Sequence, residues 1–315
     1  MIPSQALRIA SLLPAATELV CALGFADQLV GISHECDFPP GVERLPVLTR
    51  SKVIQRAKSG DIDRDVRQVV RDALAVYDIE IDALVRAAPD VIVTQDLCDV
   101  CAVSFEDVQR ATRELLPDAR IVNLAPKRLT DLWSDLRRLA AALGADAQAE
   151  TLVAELQARL AGISARARRL ALRPKVLTIE WIDPVMIGGT WMPELVDIAG
   201  GRTLVTKPGD HAPTLALEAL KKLRPAPDVV LVKPCGFELE RTLMELEPLR
   251  DLFEALPWPA RLRGDVFLAD GNAYFNRPGP RLVESAEILA AVIHPFDFRD
   301  FGAKHADSFM RLPRR

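Results

Sequence analysis

The chain has 315 residues, 49% hydrophobic, 27% charged and only 5% aromatic, with a formal net charge of −4. This balance excludes the basic footprint of a nucleic-acid binder, and no run of about 18 apolar residues offers a membrane-spanning helix. Five cysteines, an odd number in a chain this long, exclude a disulfide scaffold and leave reduced thiols, metal ligands or core residues.

The opening MIPSQALRIASLLPAATE has no basic segment followed by an apolar core and a cleavage site. A full-length chain would then be cytoplasmic, and a trimmed mature form periplasmic or extracellular. LRIASLL (7–13) reads as a strand, TELVCALG (17–24) as a helix closed by Gly24, and DQLVGIS (27–33) as the next strand. Residues 60–77 have Ile62, Val66, Val69, Val70 and Leu74 at helical spacing. IDALVRAA (81–88) is a further helix. PDVIVTQ (89–95) is a strand whose near-continuous apolar run suits a parallel sheet covered on both faces. Ser104 and Asp107 open a helix over 104–116 in the manner of a capping box, and ARIVNLAP (119–126) is another strand.

From Leu129 to about Leu172 there is no proline and only Gly144 and Gly162. Leu132, Leu136, Leu139, Leu143, Leu152, Leu156 and Leu160 mark an apolar stripe, which predicts one long spine helix, with two ordinary helices broken at Gly144 as the alternative. After Pro174 the alternation returns. KVLTIEW (175–181), PDVVLVKP (227–234) and DVFLADG (265–271) are strands. PELVDIAG (193–200), LALEALKKL (215–223) and RLVESAEILAAVIHP (281–295) are helices. The expected organisation is an α/β lobe over 1–128, a linker helix over 129–172, a second α/β lobe over 173–295 and a loosely attached tail over 296–315. Both lobes are Rossmann-like with parallel sheets.

Open parallel sheets bind ligands beyond the carboxyl ends of their strands. His34, Glu35, Cys36 and Asp37 follow the second strand, and Gln95, Asp96, Cys98 and Cys101 follow PDVIV. Trp181, Asp183, Gly188, Gly189 and Trp191 follow KVLTIE, and Cys235 and Phe237 follow PDVVLVKP. Asn272, Tyr274, Phe275, Asn276 and Arg277 follow the last strand. Four of the five cysteines thus lie at strand exits, whereas Cys21 sits among Leu19, Val20 and Leu23 as a small core hydrophobe. The plain reading of each is local: a packed thiol, a hydrogen-bonded histidine, a core tryptophan, a rigid turn at NRPGPR. Clustering at strand exits is what favours a ligand cleft between the lobes.

IASLLPAATELVCALGFADQLVGIS, ALVRAAPDVIV and ALEALKKLRPAPDVVLV together resemble the substrate-binding proteins of ABC importers, in the class whose two lobes are joined by a single rigid helix (class III periplasmic-binding-protein-like). HECDFPP, TQDLCDVCAVS, EWIDP and ADGNAYFNRPGPR are similar to cobalamin-binding members, and the resemblance covers roughly residues 7 to 294. It implies a non-enzymatic, monomeric transport component with an ABC permease as partner. It also implies docking carboxylates seven residues before the proline that opens the strand motif, here Asp82 and, counting back from Pro225, Glu218. Asp82 stands where Glu is usual, Asn276 where an acidic residue occurs, and Gln95 where an aromatic occurs.

A large, flat, amide-fringed corrinoid needs aromatic walls and neutral polar groups. Trp181, Trp191, Phe237, Tyr274 and Phe275 can supply the first, and Thr94, Gln95, Asn272 and Asn276 the second. Only Arg277 and, more weakly, Arg50 stand ready for an anionic ligand, which argues for low ligand charge; the alternatives are a siderophore, haem or bare metal as ligand, or a cytoplasmic corrinoid or metal-thiolate carrier on the same scaffold. The C-x-x-C of Cys98 and Cys101 keeps three readings. It can be a pair of packed thiols shaping the pocket, or a metal site with His34 and Cys36 for zinc or the corrinoid cobalt. It can also be a redox pair.

Overall fold

The computed structural model describes residues 6–52, 57–71, 77–95 and 105–313. The chain divides into two compact units. The first takes Met1–Ala57, Arg64–Pro126 and Thr130–Glu155, and the second takes Lys58–Asp63, Lys127–Leu129 and Leu156–Arg315.

In chain order, the first part contains β1 (Ile9–Ser11), α1 (Pro14–Ala22), β2 (Leu29–Ile32), β3 (Thr49–Ser51), α2 (Ser59–Arg71) and β4 (Tyr77–Ile79). It continues with α3 (Ile81–Ala87), β5 (Val91–Gln95), α4 (Phe105–Leu115), β6 (Arg120–Leu124), α5 (Leu129–Leu143) and α6 (Asp146–Ala167). Strands β2-β1-β5-β6 form an all-parallel sheet in that order. All five residues of β5 are buried, as expected of a central strand with both faces covered. The residues around 77 depart from the sequence reading: Tyr77 does not end a helix but opens β4, which pairs antiparallel with β3. The capping residues Ser104 and Asp107 and the stripe positions Val69, Val70 and Leu74 lie outside what the structure describes of side chains.

The single helix expected over 129–172 is two helices. Gly144 adopts φ +69°, and the amide of Ala145 bonds the carbonyl oxygen of Ala140 at 2.9 Å. This six-to-one closure is a Schellman ending, which a glycine in the left-handed region makes without steric cost. The two halves of the leucine stripe therefore belong to different helices. α5 buries Leu132, Leu136 and Leu139 completely or nearly so, and α6 buries Ala149, Val153, Leu156, Leu160, Ile163 and Ala167 at alternating four- and three-residue steps. The chain passes from the first unit to the second within α6, at Glu155 and Leu156.

The second unit adds β7 (Lys175–Trp181), β8 (Met186–Ile187), α7 (Met192–Ile198), β9 (Arg202–Thr203), α8 (Leu217–Lys221) and β10 (Val229–Val232). Then follow α9 (Leu239–Leu243), α10 (Leu246–Glu254), α11 (Pro259–Arg263), β11 (Val266–Ala269), α12 (Leu282–Ile293), α13 (Arg299–Lys304) and β12 (Phe309–Arg311). Its sheet runs β12-β11-β10-β7-β8, with β9 also on β7. The centre is parallel as expected, but β12 and β8 join antiparallel, so this sheet is mixed. The core gathers Leu177, Ile179, Val230, Val232, Leu268, Phe253 and Trp258.

The loose tail expected from residue 296 is instead built in. Phe298 is fully buried and stacks on Phe301, with the Arg166 guanidinium 4.3 Å from its ring centroid. Arg166 also pairs with Asp300 at 2.7 Å, and β12 covers the edge of β11. An aromatic and cationic clasp on α6 and a row of main-chain bonds leave the segment little freedom.

Candidate functional site

Strands β7, β10 and β11 lie side by side, so their exit loops share one edge of the second unit's sheet. The β10 loop continues the ladder: the Lys233 amide bonds Ile179 O at 2.8 Å and the Cys235 amide bonds Glu180 O at 3.0 Å. The β11 loop locks onto it through Gly271 N and Asn272 N, both donating to Phe237 O, at 2.9 and 3.1 Å. A side chain at Gly271 would collide with the carbonyl oxygen of Pro234, so only glycine permits this approach.

At the centre of this edge is a lysine. Lys233 is 1% exposed, and its ammonium donates to Glu180 Oε2 at 3.1 Å and to Asn276 Oδ1 at 2.7 Å. Glu180 Oε2 also accepts from the Gly189 amide at 3.3 Å. Asn276 spends its own amide on Lys233 O (3.1 Å) and Gly271 O (2.7 Å). A buried ammonium is tolerable only when paired and hydrogen-bonded, and here both conditions hold. The sequence reading missed Glu180 and Lys233. The available signal was a lysine immediately after a fully apolar parallel strand, where another aliphatic residue would be the ordinary choice.

This network engages several of the residues expected at the site. Asn276 is consumed by protein groups. Arg277 is 8% exposed and donates to Asn272 Oδ1 at 2.7 Å, so it is a loop brace. Trp191 and Phe275 are 4% and 0% exposed, and the indole N–H donates to Phe275 O at 2.7 Å, so both are internal struts and not open walls. Gly189 is buried with its Cα against the backbone of 210–212. Phe237 is buried too, but its ring stands edge-on to Trp181, with centroids 5.2 Å apart, under the Arg241 guanidinium. Trp181 and Tyr274 are half-buried and Asp183 is exposed, so these three reach the surface. Asp270 turns the loop by accepting from Asn272 N and Ala273 N, and burial raises the pKa of its carboxyl group in spite of those bonds.

In the first unit, the β2 exit is a hydrogen-bonded chain. Thr49 Oγ1 donates to Ser33 Oγ at 3.0 Å and meets His34 Nδ1 at 2.7 Å. With that hydroxyl proton committed to Ser33, the Nδ1–H tautomer of His34 completes the chain. Burial lowers the His34 pKa, partly offset by the neighbouring Glu35 charge. Tyr77, absent from the sequence-derived set, crosses its ring edge-on with His34 at 4.8 Å and donates to Glu35 at 2.6 Å. Cys36 is buried with its thiol 3.1 Å from Thr17 Oγ1. Among the described residues no three His, Cys, Asp or Glu side chains gather as metal ligands. Asp96, Cys98 and Cys101 lie outside the described residues. Gln95 and Thr94 end β5 buried, and Thr94 Oγ1 has no hydrogen-bond partner among the described residues. Arg50 is not held ready for a ligand, because it pairs with Asp78 and Glu80. Cys21 is half-buried and not part of the core; burial and the Glu18 charge lift its pKa to about 11, which suits an inert thiol. Asp82 and Glu218 are both exposed, on α3 and α8, and Glu218 meets Lys221 at 2.8 Å.

The sequence profile of the family described as periplasmic binding protein matches residues 9–250. The chain belongs to this family. Its members are transport components that bind a small molecule and work with a permease. One relative is the ABC transporter substrate-binding lipoprotein YvrC of Bacillus subtilis (strain 168), 22% identical, with the match covering 93% of this chain and 82% of that protein. Another is the vitamin B12-binding protein of Photorhabdus laumondii, 23% identical, covering 90% and 86%. Among solved structures, a periplasmic heme-binding protein from Pseudomonas aeruginosa superposes with a TM-score of 0.68 at 21% identity, covering 91% of this chain and 92% of that one. The vitamin B12-binding protein BtuF of Vibrio cholerae gives 0.65 at 19%, covering 91% and 96%. At these identities the structural likeness establishes the two-lobe α/β fold, not the ligand.

Proposed function

We propose that this chain is the ligand-binding component of an ABC importer and that its ligand is a corrinoid, held against the strand-exit edge of the second unit. The observation that carries this reading is the engagement of every cation named at that edge. Lys233 is held by Glu180 and Asn276, and Arg277 by Asn272. Arg241 lies over the Phe237 ring and Arg281 over the Tyr274 ring. What reaches the surface beside them is aromatic, acidic or a thiol: Trp181, Tyr274, Asp183 and Cys235. Such an edge suits a flat ligand of low charge that carries amide donors, and it disfavours the carboxylates of haem or the charge of a ferric catecholate. The B12-binding relative supports the same choice. Haem is the second reading, favoured by the heme-binding proteins among the structural neighbours. A zinc or cobalt role for His34, Cys36, Cys98 and Cys101 is a separate question of the first unit.

On this reading the protein is a monomeric carrier outside the cytoplasmic membrane, it transforms nothing, and Asp82 and Glu218 meet the permease. Visible-absorbance titration of purified, metal-analysed protein with cyanocobalamin, aquocobalamin and haemin tests it. The expected result is cobalamin binding with Kd of about 1 μM or tighter and weaker haemin binding. A shift of the aquo spectrum that is lost in Cys98→Ser, Cys101→Ser or His34→Ala would mark cobalt ligation. Haemin binding without cobalamin binding would replace the corrinoid reading with the porphyrin one. Bound zinc with neither would favour a metal carrier.

A further inference from the structure

Glu180 is the penultimate residue of β7, and its two carboxylate oxygens have different lives. Oε2 takes the Lys233 ammonium at 3.1 Å and the Gly189 amide at 3.3 Å. Among the described residues Oε1 has no hydrogen-bond partner, and the side chain is 22% exposed while Lys233 is 1% exposed. The pair is therefore anchored from below by a hidden cation, and what it offers outward is an acceptor. Asp183, three residues on and exposed, adds a second carboxylate to the same exit loop, beside the half-buried indole of Trp181.

A carboxylate oxygen oriented in this way does two things to an incoming ligand. An amide N–H placed on it gains a charge-assisted hydrogen bond, and a ligand carboxylate placed on it meets like charge in a partly desolvated setting. Resting on the corrinoid reading above, we propose that Glu180 is a specificity-determining residue. Its unpaired oxygen accepts from a peripheral primary amide of the ligand and rejects a carboxylate at that position. Lys233 does not touch the ligand; it holds the Glu180 side chain in place.

The test uses cyanocobalamin and its monocarboxylic acids, in each of which one peripheral amide is hydrolysed to a carboxylate. Wild-type protein should bind the parent and lose about tenfold or more in affinity for at least one of the acids, with the loss shrinking as ionic strength rises. Glu180→Gln should bring that acid back to within about threefold of the parent, since a neutral acceptor removes the repulsion but not the hydrogen bond. Because the single variant leaves Lys233 buried opposite a neutral group, the double variant Glu180→Gln/Lys233→Met supplies the same comparison without the stranded charge. Equal binding of all the acids by wild-type protein would overturn the proposal. So would an undiminished penalty in a natively folded Gln variant. In both cases the corrinoid reading would stand. Failure of wild-type protein to bind any corrinoid overturns both.

Discussion

Lys233 and Asn276 bond each other twice. The lysine ammonium donates to Asn276 Oδ1 at 2.7 Å, and the asparagine Nδ2 returns a bond to the Lys233 carbonyl oxygen at 3.1 Å. Asn276 Nδ2 also reaches Gly271 O at 2.7 Å, so one side chain ties the β10 exit to the β11 exit. The Asn276→Ala variant should lose about 2–3 kcal/mol of stability, because a buried ammonium and two carbonyls each lose a partner. Urea unfolding measures this; a change below about 0.5 kcal/mol would mean that the bonds are not maintained in solution.

Glu287 on α12 carries an acid-sensitive clasp. Burial alone would raise its pKa, but hydrogen bonds from His305, Lys304 and Arg159 outweigh burial and bring it down to about 2. A carboxylate depressed in the folded state contributes stability above its ordinary pKa of 4.5 and loses it as pH falls towards 2. Wild-type protein should lose on the order of 2 kcal/mol from this site across that window, given that Lys304 and Arg159 are half-exposed and screened. Urea midpoints taken down the pH scale should fall less steeply for Glu287→Gln. Parallel curves would remove Glu287 from the acid response.

Gly144 tests the helix break. Apart from its own local backbone, no atom of the described residues lies within 4 Å of a Cβ built there, yet its φ is +69°. Gly144→Ala should therefore cost about 1 kcal/mol from backbone strain alone, with no cavity or clash to confuse the reading. A stability gain on thermal unfolding would indicate that α5 and α6 run on as one helix.

Asp82 and Glu218 are exposed, and the Glu218–Lys221 pair is of the kind that contributes little to folding. Asp82→Ala and Glu218→Ala should leave stability and ligand affinity unchanged. In the reconstituted importer the double variant should lower ligand-dependent ATPase stimulation about tenfold. A loss of ligand affinity from either single variant would remove these residues from the docking role.

Much of the architecture could be read from local pattern. Period and punctuation placed β1, β5, β7, β10 and β11 and the helices α1, α3, α7 and α12, because a buried parallel strand and an amphipathic helix each impose a short-range signature. The strand-exit loops were legible for the same reason, and so was the family. The reach of the 129–172 helix was misread because a leucine stripe continues through Gly144 while the backbone does not. The tail was misread because Phe298 and β12 are ordered only by Arg166 and the β11 edge, both far away in sequence.

At the site, the sequence by itself determined which chemical groups stand at the strand exits: aromatics, amides, thiols and few cations. It could not say which of them are spent. Asn276, Arg277, Trp191 and Phe275 look like free ligand groups in one dimension and are bonded to other loops in three, while Glu180 and Lys233 look like strand and loop residues and form the charged centre of the edge. The reason is physical. Hydrogen-bond capacity and burial are shared out among groups on separate strands, here up to 84 positions apart, as for Trp191 and Phe275, and only the packed tertiary structure makes that allocation.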